Sequence, residues 1–475
     1  MSRLDIKMKK LALAILLSTL SSPVWATTYF LATAAGGGSD SNNGTSPSTP
    51  WLTPNHAVNC GDVILAAAST AYDWNNFAHN WGTVTCAGGN NVAWLTCMTF
   101  DACKISVSTA SSSDDGMLIQ ASYWGVQGWE ITTTASSGAC FAIYPWNLTA
   151  VHHVIFADDI CNGAGQSGFG IDPRPPYAED YIVFIGNIAY NTVQGGGVCA
   201  SGFNMGSQNP LDTLPGTHIY FAGNFAWNNV EPSICNGGAP TDGQGFMIDT
   251  LIGNTAQIVY DNNISVFNGG RGVEVYNSAN APIYFRHNTT YGNNTDQNQA
   301  NHGVCGEIET TTASKTESFL NLAQQVAPVG CAGQTNYAFL VTFGDATDHG
   351  HQNWGYSAAG NNSGITNNGG GFAFGQNNTF GANPSFSNPV DPPAPSCASA
   401  SSVPNCMATV IANFTPTVAA AKAYGYQIPL TKNIYDPLFP QWLCNVNLPA
   451  GLITMGCLAQ SSLPASPTIT GVKVH

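Results

Sequence analysis

Residues 257–293 read QIVYDNNISVFNGGRGVEVYNSANAPIYFRHNTTYGN and contain one short pattern twice. Apolar and polar residues alternate, and each run ends in an asparagine, Asn263 or Asn288. Two earlier copies end in Asn187 and Asn224, so the successive steps are 37, 39 and 25 residues. Repeats of about 20–50 residues are typical of solenoids, in which each coil packs against its neighbours. The pattern therefore predicts stacked coils, with the asparagine side chains forming a hydrogen-bonded ladder at one corner.

A second class of short strand lies between these runs, and each copy begins with a glycine. Aligned by that glycine, the second and fourth residues are apolar and are predicted to point into the coil, whereas the third and fifth point outward. The four copies are GFGID at 168–172, GFNMG at 202–206, GFMID at 245–249 and GVEVY at 272–276. With the first pattern, they predict an all-β solenoid.

The amino terminus, MSRLDIKMKKLALAILLSTLSSPVWA, has basic residues before the apolar run Leu11–Leu20 and small residues before Ala26. A membrane span needs about 20 apolar residues, so this shorter run predicts a secretory signal peptide, residues 1–26, rather than an anchor. The expected location is periplasmic or extracellular, and no membrane span is expected.

The composition restricts the possible partners. The chain has 12 Lys and Arg against 27 Asp and Glu, a net charge of −15, and only 8% of its residues are charged. A chain this acidic repels nucleic acid, which excludes that class of partner. Its 44% hydrophobic content is enough for a large core, so disorder is not expected.

All 14 cysteines follow the signal peptide, and an even number in an exported protein indicates disulfides. Contacts in a solenoid join neighbouring coils, which favours pairs that are close in sequence. The predicted pairs are Cys97–Cys103, Cys140–Cys161, Cys397–Cys406 and Cys444–Cys457.

The segment after the signal peptide carries a resemblance to a known family. It contains YFLAT at 29–33, SDSNNGT at 39–45, Pro50-Trp51 and GDVI at 61–64. This run resembles the amino-terminal segment that starts and caps secreted right-handed parallel β-helix proteins of the pectate-lyase-like superfamily. The resemblance implies a right-handed parallel β-helix with an amino-terminal cap and says little about the reaction.

The domain boundaries follow from the repeats and from a change of composition. The repeats assign residues 27–390 to the β-helix domain, and Pro- and Cys-rich sequence follows. We expect residues 391–475 to form an irregular, disulfide-rich cap over the open carboxyl end, because a solenoid must cover its exposed strand edges. Asn294-Thr295-Asp296 matches one element of the motif set of pectin-degrading hydrolases in that superfamily. The other elements are absent, so we interpret this match as a polar loop.

The outward positions of the second strand class predict the chemistry. Asp249 and Glu274 lie one coil and two residues apart, so their Cα atoms should be roughly 8 Å apart. Two carboxylates at such a distance suit the acid and the base of glycoside hydrolysis. Arg271 is a candidate for binding a sugar acid or for acting as the base of a lyase, and a salt bridge to Asp242 or Glu274 is the alternative.

Carboxylates are also ligands for Ca²⁺, which makes Asp242, Asp249 and Glu274 a candidate metal set with Ca²⁺ as the cofactor. Candidate substrate-binding residues are Asp172, in the column of Asp249, together with Tyr276 and His287. The alternatives are a turn role for the aspartates and a structural hydrogen bond for His287.

These observations predict a secreted, monomeric protein that binds an extracellular polysaccharide and degrades it as a hydrolase or a Ca²⁺-assisted lyase. The alternative is a non-catalytic β-helix adhesin or structural surface protein. An enzyme concentrates its acidic and aromatic residues in one or two coils, as this sequence does, whereas an adhesin spreads them over many coils.

Overall fold

The structure, a computed structural model, describes residues 26–446 apart from short internal ranges. These ranges are 87–90, 109–113, 146–148, 172–175, 196–198, 207–208, 232–241, 250, 252–253, 278–280, 297–303, 312–314, 343–348, 367–372, 376 and 428–435. The predicted signal peptide, residues 1–26, therefore lies outside the described residues except for Ala26.

Three long sheets and one two-stranded sheet contain the described strands. Sheet 1 consists of β1 Thr28–Leu31, β3 Val63–Ala66, β6 Ala93–Cys97, β9 Trp124–Gln127, β12 Val151–Ala157, β15 Glu179–Ile185, β18 Thr217–Ala222, β21 Gln257–Asp261, β24 Pro282–Arg286, β27 Lys315–Phe319, β30 His349–His351 and β33 Ala373–Phe374. Sheet 2 consists of β4 Ser69–Tyr72, β7 Cys103–Val107, β10 Trp129–Thr133, β13 Ile160–Asn162, β16 Ile188–Tyr190, β19 Phe225–Trp227, β22 Ile264–Val266, β25 Thr289–Tyr291, β28 Leu322–Gln325, β31 Trp354–Ser357 and β34 Thr379–Phe380.

Sheet 3 consists of β8 Met117–Ile119, β11 Phe141–Ile143, β14 Phe169–Ile171, β17 Phe203–Gly206, β20 Phe246–Asp249, β23 Val273–Tyr276, β26 Val304–Thr311, β29 Thr335–Thr342 and β32 Ser363–Thr366. The small sheet pairs β2 Val58–Asn59 with β5 Val84–Thr85. Two short helices, α1 Val403–Cys406 and α2 Ala408–Asn413, follow the strands.

Successive strands of each long sheet pair in parallel, as β20 does with β23 and β21 with β24. A full coil contributes one strand to sheet 1, then one to sheet 2, then one to sheet 3, and the next coil stacks on it. This topology confirms the predicted right-handed parallel β-helix.

The core is built from columns of identical or similar side chains, because the register keeps the same strand position over itself from coil to coil. Phe141, Phe169, Phe203 and Phe246 of sheet 3 stack with ring centroids 4.7, 4.8 and 4.7 Å apart. Phe169, Phe203 and Phe246 are the second residues of three glycine-led copies, so the predicted inward positions are confirmed.

The predicted asparagine ladder is present at the corner between sheets 1 and 2. Each side-chain Nδ2 donates to the Oδ1 of the next rung, at 2.9–3.0 Å, and a backbone carbonyl accepts a second bond from the same amide. The ladder runs through Asn187, Asn224, Asn263, Asn288, Asn321 and Asn353. A second ladder, Asn229, Asn268 and Asn293, lies at the corner between sheets 2 and 3 and ends on the carboxylate of Glu307.

Three of the four predicted disulfides are confirmed: Cys97–Cys103, Cys140–Cys161 and Cys397–Cys406. The fourth, Cys444–Cys457, involves Cys457, which lies outside the described residues. Cys60–Cys86 and Cys305–Cys331 were not predicted, because each joins two positions that the repeat pattern does not relate. Disulfides of this number indicate an oxidising environment.

The carboxyl-terminal segment, meaning the described residues from 391 to 446, is irregular and disulfide-bonded, as expected. Its described apolar residues pack against the outer faces of sheets 1 and 2. Its residues Met407 and Ile411 pack on outward-facing Ile188 and Phe225 of sheet 2. Its residues Phe439 and Trp442 pack on outward-facing Val183 and Tyr220 of sheet 1. These sheets have apolar outer faces, so they need a cover that the coils themselves do not provide.

Polar contacts fix this segment to particular coils. The backbone amide of Val403 donates to Asp158 Oδ1 at 2.9 Å, and Trp227 Nε1 donates to the carbonyl oxygen of Pro392 at 3.1 Å. Arg286 Nη2 lies 2.6 Å from both Asp261 Oδ2 and Asp436 Oδ2. No helix in the described ranges has the length and apolar character that a membrane span requires.

Candidate functional site

The outer face of sheet 3 brings Asp249 and Glu274 together in the predicted register. Asp249 pairs directly with Tyr276, and Glu274 pairs with Met247, so the two carboxylates are offset by one coil and two residues. The alternating residues Ile248 and Val275 are fully buried in the core. The alternation of the strand therefore directs both carboxylates outward.

Arg271 precedes β23 and lies between two glutamates. Its Nε is 2.7 Å from Glu309 Oε2 and 3.7 Å from Glu274 Oε2. Burial would lower the pKa of this guanidinium, but Glu309 and Glu274 together raise it above its usual range. Arg271 is therefore a protonated ion-pair partner of Glu274, which was the alternative left open by the sequence, and it is a poor general base.

Glu309 was not among the site residues predicted from the sequence. It occupies the same strand position as Glu274 on the next coil, since Val273 pairs with Ile308 and Glu274 with Glu309. The glycine that starts each earlier copy is replaced here by Glu307, so the alignment by glycine ended one coil too early. Alternation around Ile308 alone would have identified Glu309 as an outward residue.

The carboxylate of Glu274 is held from the other side by an amide. Gln244 Nε2 donates to Glu274 Oε2 at 2.6 Å, and Ser201 Oγ donates to Gln244 Oε1 at 2.7 Å. Because the serine hydroxyl binds the amide oxygen, the amide nitrogen faces the glutamate. Burial raises the pKa of Glu274 to about 7, with Glu309 adding to the effect and Arg271 opposing it.

Asp242 lies in the turn that precedes β20, and it extends the acidic group to that turn. Its backbone amide donates to Glu231 Oε2 at 3.2 Å. Burial raises the pKa of Asp242 well above its usual range, and the charges of Glu274 and Glu231 raise it further. Burial likewise raises the pKa of Glu231 to about 7, and Asp296 adds to this shift.

Asp296, which we interpreted as part of a polar loop, is thus an electrostatic neighbour of Glu231. Its backbone amide donates to the carbonyl oxygen of Gly269 at 3.1 Å, which places it at the same corner of the coils. Neither Glu231 nor Asp296 occupies a repeated position, so no periodic signal in the sequence marks them. We call the following six carboxylate residues the acidic corner: Glu231, Asp242, Asp249, Glu274, Asp296 and Glu309.

The other predicted substrate-binding residues differ in position. Tyr276 lies beside Asp249 and is 44% exposed. His287 lies in the turn between β24 and β25, where its Nδ1 is 3.2 Å from the carbonyl oxygen of Gly425. This turn joins sheets 1 and 2, so His287 is not brought together with Glu274. Asp172 lies outside the described residues.

The predicted metal set does not fit Ca²⁺ well. Arg271 places its positive charge against Glu274 and acts electrostatically on Asp242 as well, where a divalent cation would otherwise bind. Ca²⁺ also needs six to eight converging oxygen ligands. Among the described residues, Asp242, Asp249 and Glu274 are not a group whose ligand atoms all lie within 4.8 Å of one another.

One group in the described part of the chain does meet that distance: Asp180, Asp212 and His218. His218 Nδ1 lies 2.8 Å from Asp180 Oδ2, and its Nε2 lies 2.8 Å from the carbonyl oxygen of Leu214. Asp212 Oδ1 accepts the hydroxyl of Tyr181 at 2.9 Å. Both imidazole nitrogens thus face oxygen acceptors, an arrangement that favours a charged histidine over a metal ligand.

A cavity of about 370 Å³ lies at the turn between sheets 2 and 3, and its described lining, which includes Thr132, Asn162 and Gln194, carries no charged side chain. Gln194 Nε2 donates to the carbonyl oxygen of Val230 at 2.9 Å, and Glu231 is the next residue. Gln194 of this lining therefore lies one coil away from Glu231.

No protein-family model matches the sequence, and no curated protein is similar to it. Among solved structures, the chain is similar to a pectate lyase, Pel9A, with 14% identity, a TM-score of 0.39 and coverage of 76% of this chain and 83% of that one. It is also similar to a rhamnogalacturonan lyase, with 13% identity, a TM-score of 0.32 and coverage of 75% and 87%. It is also similar to a GH136 lacto-N-biosidase from Eubacterium ramulus, with 11% identity, a TM-score of 0.34 and coverage of 75% of this chain and 68% of that one. Similarity at this level concerns the fold alone.

Proposed function

We propose that this protein is a secreted glycoside hydrolase that binds a polysaccharide along the outer face of sheet 3. The observation that carries the proposal is the pair Asp249 and Glu274 on adjacent coils, with the Glu274 carboxyl held by Gln244 beside Arg271. Glycoside hydrolysis needs two carboxyl groups in different protonation states. Different surroundings, such as those of buried Glu274 and partly exposed Asp249, are the usual way in which two carboxyl groups reach different protonation states.

Glu274 is the general acid in this proposal. Its pKa of about 7 allows it to hold a proton near neutral pH and to donate it to the leaving oxygen. Asp249 is partly exposed and serves as the base or nucleophile on the sugar. Tyr276, exposed beside Asp249, offers a ring on which a sugar can stack.

Arg271 positions Glu309 and Glu274 and keeps two adjacent carboxylates compatible with one another. Its protonated state argues against a lyase in which Arg271 removes the proton. The poor fit to Ca²⁺ at Asp242, Asp249 and Glu274 argues in the same direction. Hydrolysis is therefore favoured over Ca²⁺-assisted elimination.

The test is a panel of polysaccharides incubated with the purified protein, with and without EDTA. New reducing ends without absorbance from unsaturated uronides, unaffected by EDTA, are expected for a hydrolase. Unsaturated products that disappear with EDTA would establish a lyase instead, and binding without cleavage would establish a non-catalytic module such as an adhesin.

The residue assignment is tested with Glu274→Gln and Asp249→Asn, each expected to lower kcat by at least about 10²-fold, the lower range for general acid–base catalysis. The matched control is Glu317→Gln, which changes a partly exposed carboxylate on sheet 1. Near-normal activity in both site variants would remove this site from consideration.

A further inference from the structure

A column of four stacked aromatic rings lies near the start of successive strands of sheet 1. The rings belong to Tyr123, His153, Tyr181 and His218, and their centroids are 4.9, 4.7 and 4.4 Å apart in that order. The backbones of Tyr123, His153 and Tyr181 have positive φ angles of 67°, 56° and 53°. Residues other than glycine seldom adopt this conformation. The same irregularity is therefore repeated in successive coils, and it places the imidazole of His153 between two phenol rings.

His153 also contacts the carboxyl-terminal segment. Its ring lies 4.9 Å from that of Trp442, and the two residues are 8% and 6% exposed. Trp442 and Phe439 pack together on Val183 and Tyr220, which belong to the outer face of sheet 1. The imidazole of His153 is therefore part of the surface that holds this end of the segment.

A contact between two imidazoles makes this surface sensitive to protons. His152 Nδ1 and His153 Nδ1 are 2.9 Å apart. One nitrogen donates a hydrogen to the other, so the accepting imidazole must be neutral. If both imidazoles are protonated, both Nδ1 atoms carry a hydrogen and two positive charges face each other. The pair can therefore hold at most one positive charge while this contact exists.

Burial disfavours the charged form of both histidines. Together with the charges of His152 and His218, it lowers the pKa of His153 to about 3, although Asp212 opposes the shift. Burial also lowers the pKa of His152, against the charges of Asp180 and Asp212. Because the pKa of His153 falls from 6.5 on folding, its contribution to stability is complete above pH 6.5. That contribution is lost progressively as the pH falls from 6.5 to about 3.

The other groups around His153 do not cancel this dependence. Burial lowers the pKa of His218, but the hydrogen bond and the charge of Asp180 outweigh burial and raise that pKa above its ordinary value of 6.5. The contribution of His218 is therefore already complete below pH 6.5 and does not change there. Phenol groups do not titrate at acidic pH. The titratable groups that face His153, none of which belongs to residues 441–446, are Tyr123, His152, Asp180, Tyr181, Asp212 and His218.

We propose that His152, His153 and Trp442 form an acid-sensitive latch, in which protonation of the histidine pair separates its rings and releases residues 438–446 from the outer face of sheet 1. The ion pair of Asp436 with Arg286 precedes these residues and keeps them attached to the β-helix. Release exposes apolar side chains of sheet 1 while the coils stay folded. The latch lies on sheet 1 and is independent of the glycan chemistry proposed for sheet 3.

Amide hydrogen exchange of the full-length protein, followed by mass spectrometry, tests the latch. The amides of Leu443 and Val446 donate hydrogen bonds at 3.0 Å within the segment, so their exchange reports its opening. Exchange is measured between pH 7 and pH 4.5 and corrected for the intrinsic effect of pH. One histidine that regains its ordinary pKa on opening makes the opening equilibrium about tenfold larger at pH 5.5 and about 100-fold larger at pH 4.5 than at pH 7.

His153→Tyr is the matched variant, because Tyr123 and Tyr181 occupy the same column with the same backbone conformation. It removes the titrating group and keeps a ring beside Trp442, so exchange of residues 438–446 should lose most of its dependence on pH. His153→Asn also tolerates a positive φ but removes the ring. It should exchange faster at every pH and should likewise lose the pH dependence.

The control is His56→Gln, which changes a histidine of the amino-terminal cap that pairs with Asp40, and it should keep the native pH dependence. Equally slow exchange from pH 7 to pH 4.5 in the native protein overturns the inference. A pH dependence that persists in both variants of His153 overturns it as well, because other groups then cause the opening. Simultaneous loss of protection in residues 438–446 and in the strands of sheet 1 also overturns it, because the whole domain then unfolds.

Discussion

Glu274 and Glu309 are directly paired neighbours on adjacent strands of sheet 3, and the guanidinium of Arg271 contacts both of their carboxylates. Parallel in-register stacking places identical positions about 4.8 Å apart, so two ionised glutamates in one column repel each other strongly. The ion pair with Arg271 makes this column possible, which connects the stability of the coil to the chemistry of the site.

Replacing Arg271 by methionine should destabilise the protein by about 3–5 kcal/mol, the usual cost of removing one member of a buried ion pair. The expected measurement is a lower urea midpoint at pH 7. Adding Glu309→Gln to Arg271→Met should recover part of the lost stability, because it removes a carboxylate that has lost its ion-pair partner. A midpoint unchanged by Arg271→Met would contradict the role given to this residue.

Replacing Gln244 by leucine should move the pH dependence of activity. The hydrogen bond from Gln244 lowers the pKa of Glu274, so its loss raises that pKa further above its usual range. If Glu274 is the general acid, the alkaline limb of the profile of kcat/KM shifts to higher pH. Ser201→Ala, which frees the Gln244 amide to rotate, should give a smaller shift in the same direction, and an unshifted limb in both variants argues against Glu274 as the acid.

The stability of the protein should fall as the pH rises through neutrality. Burial raises the pKa of Glu307 from 4.5 to about 8, although hydrogen bonds from Asn293 oppose the shift. The folded state therefore keeps a proton that the unfolded state releases, and this contribution is complete below pH 4.5 and is lost as the pH rises through about 8. Glu307→Gln should make the pH dependence of the free energy of unfolding shallower over this range, and an identical slope in both proteins would refute the assignment.

Replacing Asn263 by alanine should cost more than about 3 kcal/mol. The side chain accepts bonds from the backbone and side-chain amides of Asn224 and donates to Asn288 and to the carbonyl of Phe221. Each buried partner left without its bond costs about 1–3 kcal/mol. The control Asn55→Ala, at an exposed position, should change the thermal midpoint little, and equal effects of the two substitutions would count against the ladder.

Arg286 and Asp436 should show energetic coupling in a double-mutant cycle. Their contact ties the carboxyl-terminal segment to sheet 1, with Nη1 to Oδ1 at 3.1 Å and Nη2 to Oδ2 at 2.6 Å. We expect a coupling free energy of about 0.5–3 kcal/mol between Arg286→Ala and Asp436→Ala. Limited proteolysis of either variant should cut the carboxyl-terminal segment first, whereas strictly additive effects would show that the contact contributes nothing.

The sequence alone was sufficient to predict the coil and to predict which strand positions face inward or outward, because both follow from local alternation. Asp249 and Glu274 were placed correctly relative to each other, since the glycines and the inward apolar residues set the alignment. Glu309 was lost where Glu307 replaces the marker glycine. Glu231 follows Asn229 in a turn that has no repeat, so its proximity to Asp242 depends on the folded path of the chain alone.

The carboxyl-terminal segment shows a different limit of sequence reasoning. Its apolar residues have no period, and their partners on sheets 1 and 2 are distant in the chain. The outward Tyr220 and Phe225 were not recognised as a surface in need of cover, because alternation reports which side a residue faces and not what lies against it.

The path of that segment also determines the order of assembly. The contact of Val403 with Asp158 spans 245 residues and that of Leu438 with Thr217 spans 221. Coils that are synthesised early therefore keep their apolar outer faces exposed until residues 391–446 have been synthesised. Long-range contacts of this kind slow folding and prolong exposure to aggregation. A chain that lacks residues 391–446 is therefore expected to expose the apolar outer faces of sheets 1 and 2 and to aggregate.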